Sequence, residues 1–188
     1  MFRLESGSFS HGQDIPEKHT ADGAATSPPL QWTGAPTATK SLALAMTDPD
    51  AIPTATPAIY AHWLLYNIPP TVTSLVEGAG SDTGLPPGIR QLPNTAVTLG
   101  IKEWPGYFPP WPPDASHRYT FTLYALAEDT LPIKENASFI QFMRAVLPLT
   151  ISSATLVGLY GPARRRMPAA LQLKAFSRIL LRRLACRI

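Results

Sequence analysis

The sequence has a single cysteine, Cys186, third from its end. That scarcity excludes an internal disulfide framework and a cysteine-based zinc site. Charge is sparse as well: 15% of residues are charged against 45% hydrophobic, which is not the composition of a disordered polyelectrolyte. No apolar run approaches the roughly 20 residues that a bilayer-crossing helix needs. The opening Met1-Phe2-Arg3-Leu4-Glu5-Ser6-Gly7 turns polar at once. It lacks the apolar stretch of about 7–15 residues that marks a secretory signal, so a cytoplasmic location is expected. What the chain does have is proline, 21 residues scattered between apolar runs, which suits short strands joined by stiff turns and disfavours long helical bundles. With 188 residues, one domain is expected over residues 1–161, followed by a basic extension over 162–188.

The charges divide along the same line. Through Gly161 there are eight basic and thirteen acidic residues; beyond it there are eight basic and none acidic. The net charge of +3 therefore describes the extension and says nothing about partners of the acidic body. Within the body, Ser41 to Met46 alternates Leu42, Leu44 and Met46 with small or polar residues, the pattern of a strand with one buried face, and Asp48-Pro49-Asp50 ends it. His62 to Ile68 is a second strand-length apolar run, stopped by Pro69-Pro70, with His62 at its mouth. Residues 71–116, rich in Gly, Pro, Asn and Asp, read as a long irregular connection, the kind of segment that often carries function. Arg118 to Leu126 alternates most clearly, with Tyr119, Phe121, Leu123 and Ala125 on one face. Asn136 is placed to cap a helix carrying Phe139, Phe142, Met143 and Val146, closed by Pro148, and Ile151 to Tyr160 reads as a returning strand. The sum is a mainly β chain, an antiparallel β-sandwich with one or two late helices and a basic C-terminal extension.

Common enzyme signatures are missing: GxSxG, GxxxxGK[ST], HExxH and CxxC do not occur. The polar residues at strand ends are Asp48, Asp50, His62 and the run Ser116-His117-Arg118-Tyr119. Asp48 and Asp50 can act as acid and base, hold a divalent cation, or simply close a turn by bonding backbone amides. His62 and His117 with a carboxylate can ligate a metal, or sit hydrogen-bonded beside a core. A third arrangement suits the whole set: histidine donors hold a phosphate or carboxylate, a carboxylate orients each imidazole, and Trp63, Tyr107, Trp111 and Tyr119 wall the space.

Six segments also carry a resemblance. They are Ser27-Pro28-Pro29-Leu30-Gln31-Trp32; Lys40 to Leu44 running on to Asp48-Pro49-Asp50-Ala51; His62 to Pro69; Gly106-Tyr107; Pro112-Pro113; and His117-Arg118-Tyr119 with Phe121 to Leu126. Together, over about residues 6–160 and in order, they resemble the phosphatidylethanolamine-binding proteins, above all the bacterial Raf kinase inhibitor-like branch. The resemblance implies a β-sandwich with Greek-key connections and a small, stiff cavity for phosphate-like anions, with no cofactor; no resident metal is expected either, because two isolated histidines with carboxylates make a poorly closed site. It puts the ligand on Asp48, His62, His117 and Tyr119, with Asp50 as a further ligand-binding carboxylate and Trp63, Tyr107, Pro112 and Pro113 lining or supporting the cavity. Arg118, alternating away from His117 and Tyr119, is expected to brace the loop or the carboxylates.

The sequence departs from the family at Ile52, which intrudes before Pro53; at Pro109 and Trp111, which stiffen and enlarge a loop; and at Asp114-Ala115-Ser116, where a glycine is usual. The expected function is a non-catalytic binding or regulatory protein whose partners are a small anionic ligand or phosphorylated group and a possible protein. The alternatives are a hydrolase or lyase using Asp48 or Asp50 with His117, and a peripheral lipid binder. In the extension, Pro168 can start a helix with Leu173, Phe176, Leu180 and Leu184 on one stripe and Lys174, Arg178 and Arg182 on another. Such a helix can meet an anionic membrane surface, an acidic protein surface or nucleic acid, or stay loose. Nucleic acid is not expected on the acidic body.

Overall fold

The computed structural model describes residues 1–51, 59–81, 84–100 and 105–162. Ile52, Pro53 and all of the expected basic extension except Pro162 lie outside the described residues. In chain order come β1 (Arg3–Glu5), β2 (Gln13–Asp14), β3 (Leu30–Thr33), β4 (Ser41–Asp48), β5 (Tyr60–Ile68), β6 (Ser74–Leu75), β7 (Arg90–Leu92), α1 (Thr95–Thr98), β8 (His117–Leu126), α2 (Phe139–Val146) and β9 (Thr150–Tyr160). The protein is mainly β with few helices. One sheet has the order β1-β3-β6 and the other β2-β9-β8-β4-β5-β7.

A core joins the two sheets. Leu4, Leu30, Trp32 and Leu75 from the small sheet share it with Leu42, Leu44, Met46, Trp63, Leu65, Phe121 and Leu156 from the large one. A fully buried side chain of this size contributes roughly 1.5–3 kcal/mol relative to exposure. A second cluster covers the opposite face of the large sheet, where Ala43, Ala45, Leu64 and Leu126 meet Phe142 and Val146 of α2. The expectation of one buried face for β4 is therefore corrected. Both faces are buried, and its alanines are the small partners that let α2 approach.

Three further expectations change. Strand pairing is antiparallel except that β2 runs parallel to β9, opposite Gly158 and Leu159. At Gly158 a Cβ would come within 2.5 Å of the Ile15 side chain, so the bare backbone is what lets this stretch lie flat. The helix cap is Ser138, not Asn136: the Ser138 hydroxyl accepts from the Gln141 amide, and the Gln141 side chain accepts from the Ser138 amide at 2.8 Å. Asn136 falls in the turn before it. Finally, the connection between β5 and β8 is not wholly irregular, since it holds β6, β7 and α1, and helical turns occur early in the chain too, at Glu17–His19 and Thr95–Thr98.

Strand order puts chemistry at one end of the large sheet. β4 lies between β8 and β5 and runs antiparallel to both. The C-terminal end of β4, at Asp48, is thereby flanked by the N-terminal ends of β8, at His117, and β5, at Tyr60 and His62.

Candidate functional site

Asp48 organises this end of the sheet. Its Oδ1 accepts the backbone amides of Asp50 and Ala51, both at 2.9 Å, which is the strand-ending turn that such a residue forms by itself. Its Oδ2 accepts Nδ1–H of His117 at 2.8 Å and lies 4.0 Å from Nε2 of His62. The turn and the imidazole pair thus share one buried carboxylate.

His62 reaches the carboxylate through a break in strand register. Met46 pairs with Trp63 and Thr47 with Ala61, leaving His62 as the extra residue of a bulge. The bulge turns the imidazole toward the inter-sheet side, where its ring meets Tyr119 edge-on at 5.1 Å, Tyr60 at 5.0 Å and Phe108 at 5.5 Å. Its Nδ1–H donates to the Phe108 carbonyl at 2.8 Å, and the Phe108 amide donates back to the His62 carbonyl at 2.8 Å. Nε2 is therefore the bare nitrogen of a neutral ring. Burial pushes the His62 pKa down to about 4, against the opposing pulls of the Phe108 carbonyl and Asp48.

His117 shows the opposite balance. Burial works against its charge, but the Asp48 and Asp114 carboxylates outweigh that cost and hold its pKa above the ordinary histidine value. Its Nε2–H donates to Asp114 Oδ1 at 3.0 Å. With a carboxylate at each nitrogen, the imidazolium is the form that satisfies both bonds. Tyr60 stands at the mouth, its phenol pushed up to about 12 by burial and by Asp48, so it keeps its proton.

The other anticipated residues sit around this cluster in support. Asp50 is held by Arg118: its Oδ2 accepts the Arg118 amide at 2.8 Å and Nε at 2.9 Å, and its Oδ1 accepts a guanidinium nitrogen at 2.6 Å. The Arg118 guanidinium keeps the Asp50 carboxyl at about 2. Trp63 is turned into the inter-sheet core, donating to Gln91 at 2.6 Å and meeting Tyr107 edge-on at 5.6 Å. Tyr107 donates its hydroxyl to the His19 carbonyl at 2.7 Å, tying the loop that carries Phe108 to the N-terminal segment. Pro112 is buried beside that loop and Pro113 is exposed. Sequence reasoning passed over Tyr60 and Phe108, although Tyr60 precedes His62 by two residues and Phe108 follows Tyr107. It treated Asp114 only as the replacement for a glycine.

Two grooves, of about 690 and 500 Å3, lie elsewhere, one along Arg3–Ser6 and Ser153–Leu156 and the other between Thr26, Gly80 and Tyr107. Among the described residues no helix is long and apolar enough to cross a membrane.

A mainly β domain of two sheets with histidines and carboxylates gathered at one strand end is the class that these observations define. The sequence model described as phosphatidylethanolamine-binding protein matches residues 5–161. A UPF0098 protein of Methanothermobacter thermautotrophicus is 39% identical over 157 residues, covering 84% of this chain and 97% of that protein. The crystal structure of the putative phosphatidylethanolamine-binding protein homologue CT736 of Chlamydia trachomatis superposes with a TM-score of 0.72 at 37% identity, covering 85% of this chain and 97% of that one. Escherichia coli YbcL, described as a new member of the mammalian family, superposes with a TM-score of 0.75 at 31% identity, with the same coverage. The chain belongs to the phosphatidylethanolamine-binding protein family.

Proposed function

We propose that the protein is a non-catalytic binding module, a two-sheet sandwich that takes a small anion, a phosphate or phosphorylated group, at the cluster of Asp48, His62, His117 and Tyr119. The observation that carries this reading is the paired imidazoles around one carboxylate. Asp48 orients His117 so that its Nε2–H faces the outer loop, and a buried imidazolium is a strong donor to a phosphate oxygen. The neutral Nε2 of His62 accepts from a protonated phosphate oxygen, and the Tyr60 phenol, which keeps its proton, borders the same space.

The same bonds argue against the alternative in which His117 serves as a general base. A general base at His117 needs a bare Nε2, whereas this nitrogen donates to a carboxylate and the ring is favoured in its charged form. Asp48 already accepts two amides and an imidazole, and Asp50 is gripped by Arg118. The test is a titration of the full chain with inorganic phosphate at constant ionic strength, followed by thermal shift. Dissociation constants in roughly the millimolar to high micromolar range are expected for so small a ligand, with His117→Ala losing the shift. Absence of any shift in the wild type would overturn the reading.

A further inference from the structure

If an anion is held at His117, it bonds to Nε2, and in the structure that nitrogen is already engaged by a carboxylate. Asp114 lies on the loop three residues before His117. Its Oδ1 accepts Nε2–H at 3.0 Å and also its neighbour's amide, that of Ala115, at 2.9 Å. The Asp114 side chain is 62% exposed while that of His117 is 5% exposed, so the carboxylate reaches inward from solvent onto a buried donor. It occupies the Nε2–H that an external anion would need. The loop is closely packed where it enters β8, for Gly161, just past β9, lies so near Ser116 that a Cβ there would overlap its backbone.

We propose that Asp114 is a resident, self-supplied anion for His117, an autoinhibitory contact that an incoming phosphate must displace. The inference rests on the binding reading above and adds what sets its strength. With Asp50 neutralised by Arg118, the groups on His117 are two carboxylates and one imidazolium, so the site repels an added anion until the Asp114 side chain swings out. Rotation of that exposed side chain moves the charge into solvent while Asp48 keeps the imidazole in place. Asp114 therefore lowers affinity without taking part in the bound complex.

The experiment compares the full-length wild type with Asp114→Asn, Asp114→Ala and the control Asp129→Asn, an exposed carboxylate elsewhere. Each is titrated with inorganic phosphate at fixed pH and ionic strength, reading the His117 ring protons by NMR. Asp114→Asn keeps an acceptor and loses the charge, whereas Asp114→Ala loses both. Phosphate is expected to bind roughly three- to tenfold more tightly to Asp114→Ala than to the wild type, as suits an exposed charge on a buried partner. Asp114→Asn should fall between them and Asp129→Asn should match the wild type. Equal constants in the wild type and both Asp114 variants would overturn the gate while leaving the binding reading intact. An equal gain in Asp129→Asn would reduce the effect to net charge and overturn it as well. No saturable phosphate binding in any of the proteins would fail the binding reading and the gate with it.

Discussion

His62 and His117 lie on either side of one carboxylate, and their surroundings drive them to opposite charge states. Nδ1 of His117 is 2.8 Å from Asp48 Oδ2 and its pKa is raised; Nε2 of His62 is 4.0 Å from the same oxygen and its pKa falls to about 4. The difference comes from what surrounds each ring. Three aromatic rings enclose His62, while His117 gains a second carboxylate from Asp114.

Acid should destabilise the fold through His62. Between its ordinary value of 6.5 and about 4, the unfolded chain binds a proton that the folded chain refuses, so stability falls as pH drops through that window. The full effect is on the order of 3 kcal/mol. His117 acts in the other sense, its stabilisation being present below its unfolded value and lost as pH rises through its folded one. Urea unfolding from pH 7 to pH 4 should show a shallower slope in His62→Gln than in the wild type. An unchanged slope would assign the acid sensitivity to other groups, such as buried His19.

Asp48→Ala should cost about 3 kcal/mol, because it strands two turn amides and leaves His117 without the acceptor at Nδ1. Asp50→Ala, which removes a partly exposed pair with Arg118, should cost less than about 1 kcal/mol. Midpoints of urea unfolding at pH 7 separate the two. Equal losses would mean that the shared carboxylate is not the keystone of this end of the sheet.

Capping gives an independent check on α2. Ser138→Ala is expected to cost about 1 kcal/mol and Asn136→Ala close to nothing. Thermal melts of both variants decide between the two positions.

A chain ended at Pro162 loses eight basic and no acidic residues, leaving an acidic body. It should cosediment poorly with anionic vesicles at low salt while the full chain binds and is released by salt. Equal binding by both would remove the basic segment from any role at such surfaces.

Much of this architecture was readable in advance, and the failures have physical causes. β4, β5, β8 and β9 announced themselves by apolar alternation or β-branched runs, since a pleated strand with a buried face leaves a period-2 trace. Ala43 and Ala45 were misread because a small residue under a helix looks like one facing water. Asp48, His62 and His117 were legible as polar residues at strand ends. That one carboxylate serves both a turn and an imidazole was not, because the turn is local and the imidazole is 69 residues away. The bulge at His62 leaves no trace in composition. Asp114 escaped for a different reason: in an irregular loop no periodicity tells which way a side chain points.

The double duty of Asp48 also supplies a built-in probe. Because its Oδ1 holds the amides of Asp50 and Ala51, any change of charge or position at this carboxylate is transmitted to two backbone N–H groups. Their resonances are unlabelled witnesses to events at the imidazoles, readable in an ordinary amide spectrum without a probe attached to the cluster itself.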